Sequence, residues 1–164
     1  MPQTELTLQN SGRAEFQNLT DARQLAQQLA RLAPDFERTV SGLQELMINA
    51  VEHGNLEISY ADKNRLIQEN RLEQEIDHRL SLDEFSNKVA VITWEKRDDI
   101  IVFTVKDQGK GFDWKLYLEV DMERVEHAHG RGIAMSRLVC FDQLNFNECG
   151  NEVTATVLLK AGAN

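Results

Sequence analysis

The chain has 164 residues, enough for one domain with its own core. Hydrophobic residues make up 41% and charged residues 27%, with two prolines, and no apolar run approaches the roughly 20 residues a membrane span needs. The net charge of −9 excludes nucleic acid as the main partner, because phosphate neutralisation needs a basic face.

That charge does not exclude a single nucleotide, which a few backbone N–H groups, a metal and one or two cations can hold. No basic-then-apolar leader opens the sequence, and Cys140 and Cys149 are its only cysteines. A cytoplasmic location with reduced thiols is therefore expected, and no membrane attachment.

In chain order, residues 4–8 alternate as an edge strand would, and Asn10-Ser11-Gly12 reads as a turn. Thr20-Asp21 reads as a helix start, with Leu25, Leu29 and Leu32 as its apolar stripe up to Pro34. Pro34-Asp35 opens a longer helix that runs to about His53 and stops at Gly54. Residues 60–88 are charged and helical in pattern, with Leu72, Ile76 and Leu80 as one apolar stripe.

Residues 89–94 and 100–105 are β-branched and aromatic, and Lys96-Arg97-Asp98-Asp99 joins them as a hairpin turn. Residues 107–112 form a glycine loop, 113–129 a mobile connection and 132–139 a helix. Residues 141–146 and 153–159 close the chain as a strand pair around Gly150-Asn151. The order predicts one α+β domain over 1–164: a two-layer sandwich of a mixed or antiparallel sheet with helices on one face.

The long helix carries an unusual polar stripe. At about 100° per residue, Glu45, Asn49 and Glu52 share one side, and Leu43, Leu46, Met47, Ala50 and Gly54 gather opposite. His53 sits at the stripe's edge. Glu52 is expected on a solvated face. Asn49 is a weak helix former in mid-helix, which hints at a side-chain task. An asparagine offers oxygen to a hard cation such as Mg²⁺, and a glutamate such as Glu45 can accept a proton.

Asp107-Gln-Gly109-Lys-Gly111-Phe112 follows a strand directly. A carboxylate there can accept from an amino group, and the glycines let a flat ring approach the backbone. A simple turn is the alternative. The six-residue dinucleotide fingerprint is not met. His129-Gly130-Arg131-Gly132-Ile133 precedes a helix, where free N–H groups make an anion site and Arg131 adds a cation. His127, His129, Cys140 and Cys149 lack the paired spacing of a zinc site. Trp94 and Trp114 read as packing residues.

Taken together, Glu45-Leu-Met-Ile-Asn49-Ala50-Val-Glu-His53-Gly54 resembles the N box of the GHKL ATPases. Asp107-x-Gly109-x-Gly111-Phe112 resembles their first glycine box, and Gly130-Arg-Gly132-Ile133 the second, with an ATP lid between. The resemblance runs from about residue 15 to residue 160 and implies the Bergerat ATP-binding fold.

Within that family the chain is most similar to the anti-sigma-factor serine/threonine kinases of bacterial partner switching. The resemblance implies Mg-ATP as ligand, Asn49 holding Mg²⁺, Glu45 as general base and Asp107 binding the adenine amino group. It implies that Gly109, Gly111, Phe112, Gly130 and Gly132 line base and phosphates, and that His53 and Arg131 are auxiliary phosphate contacts. The implied partners are a STAS-type antagonist protein, a sigma factor and a second copy of the chain in a homodimer. Histidine-kinase ATP domains, non-catalytic sequestering modules and gyrase-type hydrolases are the alternatives.

Two departures stand out. The 60–88 segment is an insertion, a cover for a sheet edge or a partner surface. The last motif usually places Thr after Gly, but Asn151 and Glu152 follow Gly150, which leaves Thr154 as the candidate to complete the adenine pocket.

Overall fold

The computed structural model describes residues 9–111 and 140–159. Strand β1 (Ser11–Phe16) leads into helix α1 (Leu19–Ala30) and helix α2 (Phe36–Asn49). A π-helical turn (Ala50–Asn55) follows, then three helices, α3 (Tyr60–Gln68), α4 (Leu72–Leu80) and α5 (Asp83–Ser86). Strands β2 (Ala90–Lys96), β3 (Ile100–Lys106), β4 (Gln143–Phe146) and β5 (Glu152–Leu158) complete the described residues. The strands pair in the order β1-β2-β3-β5-β4, each pair antiparallel.

The architecture is the expected α+β sandwich. Strand residues alternate with period two, so one face packs against helices and the other meets water. Ile92, Trp94, Ile101, Phe103, Val105, Val153 and Ala155 point into the core, where they join Leu25, Leu29, Leu43, Leu46 and Met47 of α1 and α2. The opposite face carries Arg13, Glu15, Thr93, Glu95, Thr104 and Thr154, exposed or half-buried.

Helix starts follow their caps. Asp35 accepts from Arg38 N at 3.1 Å, so α2 opens where Pro34-Asp35 predicts. Helix α1 begins slightly before Thr20, because Asn18 is the cap and accepts from Asp21 N at 2.8 Å. Asn10-Ser11-Gly12 is not a turn. Ser11 and Gly12 pair with Glu95 and Trp94 as the start of β1. Gly12 is needed for close approach, since a Cβ there would overlap the Trp94 indole. Trp94 Nε1 donates to Gln9 O at 3.0 Å, consistent with a packing role. The strand expected over residues 4–8, the connection at 113–129 and the helix over 132–139 lie outside the described residues.

Two corrections concern the polar stripe. The α-helix does not run to His53: it ends at Asn49, and the chain widens into the π turn, with Leu56 N donating to Val51 O at 3.0 Å. Glu52 is not solvated either. It is 2% exposed, and its carboxylate meets Lys63 Nζ of α3 at 2.7 Å. The wider turn breaks the 100° phasing, and the insertion covers the face that a bare helix would show to water.

That pair tolerates poorly the loss of one member. Lys63→Ala leaves a buried carboxylate without its counter-charge and is expected to cost about 3–5 kcal/mol in urea unfolding. The double variant Glu52→Leu/Lys63→Met should recover most of that loss. A single variant as stable as wild type would show that the charge is solvated after all.

Candidate functional site

The π turn, the end of β3 and the β4–β5 hairpin meet around one carboxylate, Asp107. Its backbone N–H donates to Asn151 O at 3.0 Å, and Gly109 N donates to its Oδ1 at 2.7 Å. Gly54 of the π turn passes so close that a Cβ there would overlap the carboxylate. A Cβ at Gly109 would in turn meet Gly54 O. These two glycines are therefore fixed by contact with each other and with Asp107. Gly111, at φ +82°, lies against Cys149 O and admits no side chain.

Asparagines lock the arrangement. Asn55 Oδ1 accepts from Gln108 N at 2.7 Å, and Gln108 Oε1 accepts from Val89 N at 2.7 Å. Asn147 Oδ1 accepts from Gly150 N at 2.8 Å and Asn151 N at 3.0 Å, which shapes the hairpin behind the site. Sequence reading missed Asn55, Asn147 and Asn151. Asn147 and the Gly150-Asn151 pair carried a turn signal; Asn55 carried none, because its partner lies in a distant loop.

A cavity of about 510 Å³, part of it open to solvent, sits above Asp107. Leu46, Asn49, Ala50, His53 and Gly54 form one wall, Val105, Asp107 and Gly111 the floor, and Phe146 with residues 150–153 the other side. Tyr60 of α3 also lines it and stacks on the His53 ring, with centroids 3.9 Å apart. Its mostly apolar walls with a few convergent polar groups have the character of a small-ligand site.

Of the residues singled out in sequence, the structure brings Asn49, His53, Asp107 and Gly111 to this cavity, with Gly109 directly behind Asp107. Glu45 lies one turn before Asn49 on α2, outside the cavity wall. Thr154 is not part of it. Its hydroxyl lies 3.4 Å from that of Thr104 on the open face of the sheet, because it is one residue out of phase with Val153. Asn151 and Glu152 occupy the place expected for it. Phe112, Gly130, Arg131 and Gly132 lie outside the described residues, as do His127, His129 and Trp114. Cys140 and Cys149 are free thiols.

Two carboxyls in and beside the cavity are raised. Burial pushes Asp107 up to about 6, against the hydrogen bond from Gly109 and the charge of Lys88. Burial also raises Glu45; Lys63 opposes this, Glu52 adds to it, and a hydrogen bond with the Asn49 side chain lowers it. A buried carboxylate facing a cavity has unspent accepting capacity and suits a ligand with an amino donor.

The family described as the histidine kinase-like ATPase domain matches residues 12–157. The chain therefore belongs to that family, an ATP-binding domain of the GHKL superfamily. Curated proteins gave no match. No helix among the described residues is long and apolar enough to cross a membrane.

The raised Asp107 makes the stability of the nucleotide-free protein depend on pH. A carboxyl raised in the fold is favoured protonated, so its burial penalty is absent below pH about 4 and complete above about 6. Stability should fall across that window by on the order of 2–3 kcal/mol. Urea midpoints of wild type and Asp107→Asn, without nucleotide, check this: the difference between the two curves should change between pH 4 and 6 and stay flat above 7. Parallel curves would contradict the assigned burial.

Proposed function

We propose that this domain is an anti-sigma regulatory factor with protein serine/threonine kinase activity, binding Mg-ATP and phosphorylating a STAS-type antagonist protein. The observation that supports it is the pairing of Glu45 with Asn49. The two lie one helical turn apart on α2, with Asn49 on the pocket wall and Glu45 just beyond it, and the neighbouring Asn49 amide opposes the upward push that burial gives the Glu45 carboxyl. A nucleotide seated on Asp107 would direct its phosphates along α2 toward that pair.

The residues fit the ligands. Asp107 offers a recessed acceptor in a cradle that added Cβ atoms would fill, which suits the adenine amino group. Asn49 supplies the amide oxygen that a hard cation takes, and Mg²⁺ needs few protein ligands where phosphates and water complete its shell. Bound Mg²⁺ would neutralise charge on the β- and γ-phosphates.

Glu45 would orient a serine or threonine hydroxyl of the antagonist and accept its proton. The hydroxyl oxygen bonds to the γ-phosphorus, the bond from that phosphorus to the β-γ bridging oxygen breaks, and ADP leaves with that oxygen. Positioning and charge neutralisation carry most of the acceleration. Phosphorylation would release the antagonist and free the kinase for a sigma factor.

The test is transfer from γ-labelled ATP to proteins recovered with the domain from the source cell, for wild type and Glu45→Ala. The expected result is acid-stable label on a small partner, lost at least about a hundredfold in the variant while ATP binding persists. A recovered partner without label would make the domain a sequestering module. Acid-labile label would place it with the histidine kinases.

A further inference from the structure

The insertion between the π turn and β2 remains to be assigned. Sequence left it as an edge cover or a partner surface. In the structure its helices are tied to the π turn and to the residues that follow it. Lys63 of α3 pairs with Glu52 at 2.7 Å, both side chains nearly buried. Arg79 of α4 donates from Nη1 to Leu56 O at 2.7 Å, while its Nε meets Glu75 at 2.8 Å. Tyr60 stacks on His53 at an interplanar angle of 21°. His53 Nδ1 meets Ile58 O, just before α3 begins.

The last two contacts converge on His53. A carbonyl can only accept, so Nδ1 carries the hydrogen, and the tautomer and one edge of the ring are fixed. Tyr60 fixes its plane. Both rings line the cavity beside Gly54, the residue that touches Asp107. A histidine on a helical turn ordinarily samples several rotamers, and holding it flat removes an ordering cost from ligand binding.

We propose that the insertion is a wall of the nucleotide pocket, in which Tyr60 is a positioning residue that holds the His53 ring for bound ATP. The inference rests on the ATP-binding reading of the pocket and is independent of phosphoryl transfer. Tyr60 meets His53 through its ring, a contact that phenylalanine keeps and an aliphatic residue loses. The Lys63–Glu52 pair acts one step further back, because it sets α3 against the π turn.

The experiment measures ATP affinity by calorimetry in the full chain, with Tyr60→Leu, Tyr60→Phe and Ile76→Ala. Ile76 is buried on α4 and is not part of the pocket, so its variant loosens the insertion without touching the stack. Tyr60→Leu is expected to weaken ATP at least about fivefold, the scale of one aromatic pair. Tyr60→Phe should stay within about twofold of wild type, and Ile76→Ala should lower the melting temperature with affinity kept. In nucleotide-free protein, the His53 ring-proton resonances should move downfield in Tyr60→Leu and stay in place in Tyr60→Phe.

Unchanged affinity in Tyr60→Leu would overturn the proposal. So would an equal loss in Ile76→Ala, which would mean general loosening, or in Tyr60→Phe, which would place the effect in the hydroxyl. A wild type that fails to bind ATP would remove the nucleotide reading and this inference together, whereas the resonance shift would still report the stack.

Discussion

The contact between Gly54 and the Asp107 carboxylate is the constraint on which the site depends. It brings the π turn after α2 against the end of β3, and only a residue without a side chain permits it. Everything else at the site is arranged around that approach. Gly109 stands where its N–H reaches Asp107 and where a Cβ would strike Gly54 O. Asn55 reaches from the same turn to Gln108, and Asn151 holds the Asp107 backbone from the neighbouring hairpin. A single carboxylate thus receives support from three separate parts of the chain, and its burial raises its affinity for a proton. An amino donor from a ligand relieves the same penalty that the proton does.

The π turn explains how α2 serves two purposes. Its α-helical part buries Leu43, Leu46 and Met47 under the sheet. The wider turn then re-phases the chain, so Glu52 points inward to Lys63 while His53 and Gly54 reach the pocket. A regular helix with the same sequence would leave Glu52 in water. The insertion gives the buried Glu52 its counter-charge and covers the His53 ring with Tyr60, so the added helices pack directly on the turn.

Much of this was legible in sequence. Alternation in β2 and β3, the Asp35 cap and the hairpin turn before Ile100 are local signals, and the structure follows them. The motif residues Asn49, His53, Asp107 and Gly111 meet at one cavity. What sequence missed depends on contacts between distant segments. Gly12 looked like a turn residue because the Trp94 ring that requires it lies on another strand. Thr154 looked like a pocket residue because proximity to Gly150 was visible and strand phase was not. Glu52 looked solvated because a helical wheel contains neither the π turn nor α3.

In the proposed function, Asp107 would read an amino group on the base. Guanine presents a carbonyl oxygen where adenine presents its amino group, so a carboxylate there should accept ATP and repel GTP. The most direct measurement is calorimetry of ATP and GTP with wild type and Asp107→Ala at pH 7.5. Wild type should prefer ATP strongly, and the variant should lose roughly 1.5–3 kcal/mol of ATP affinity, the worth of a charged hydrogen bond, with little change for GTP. Equal affinity for ATP in both proteins, or no preference in the wild type, would contradict the account.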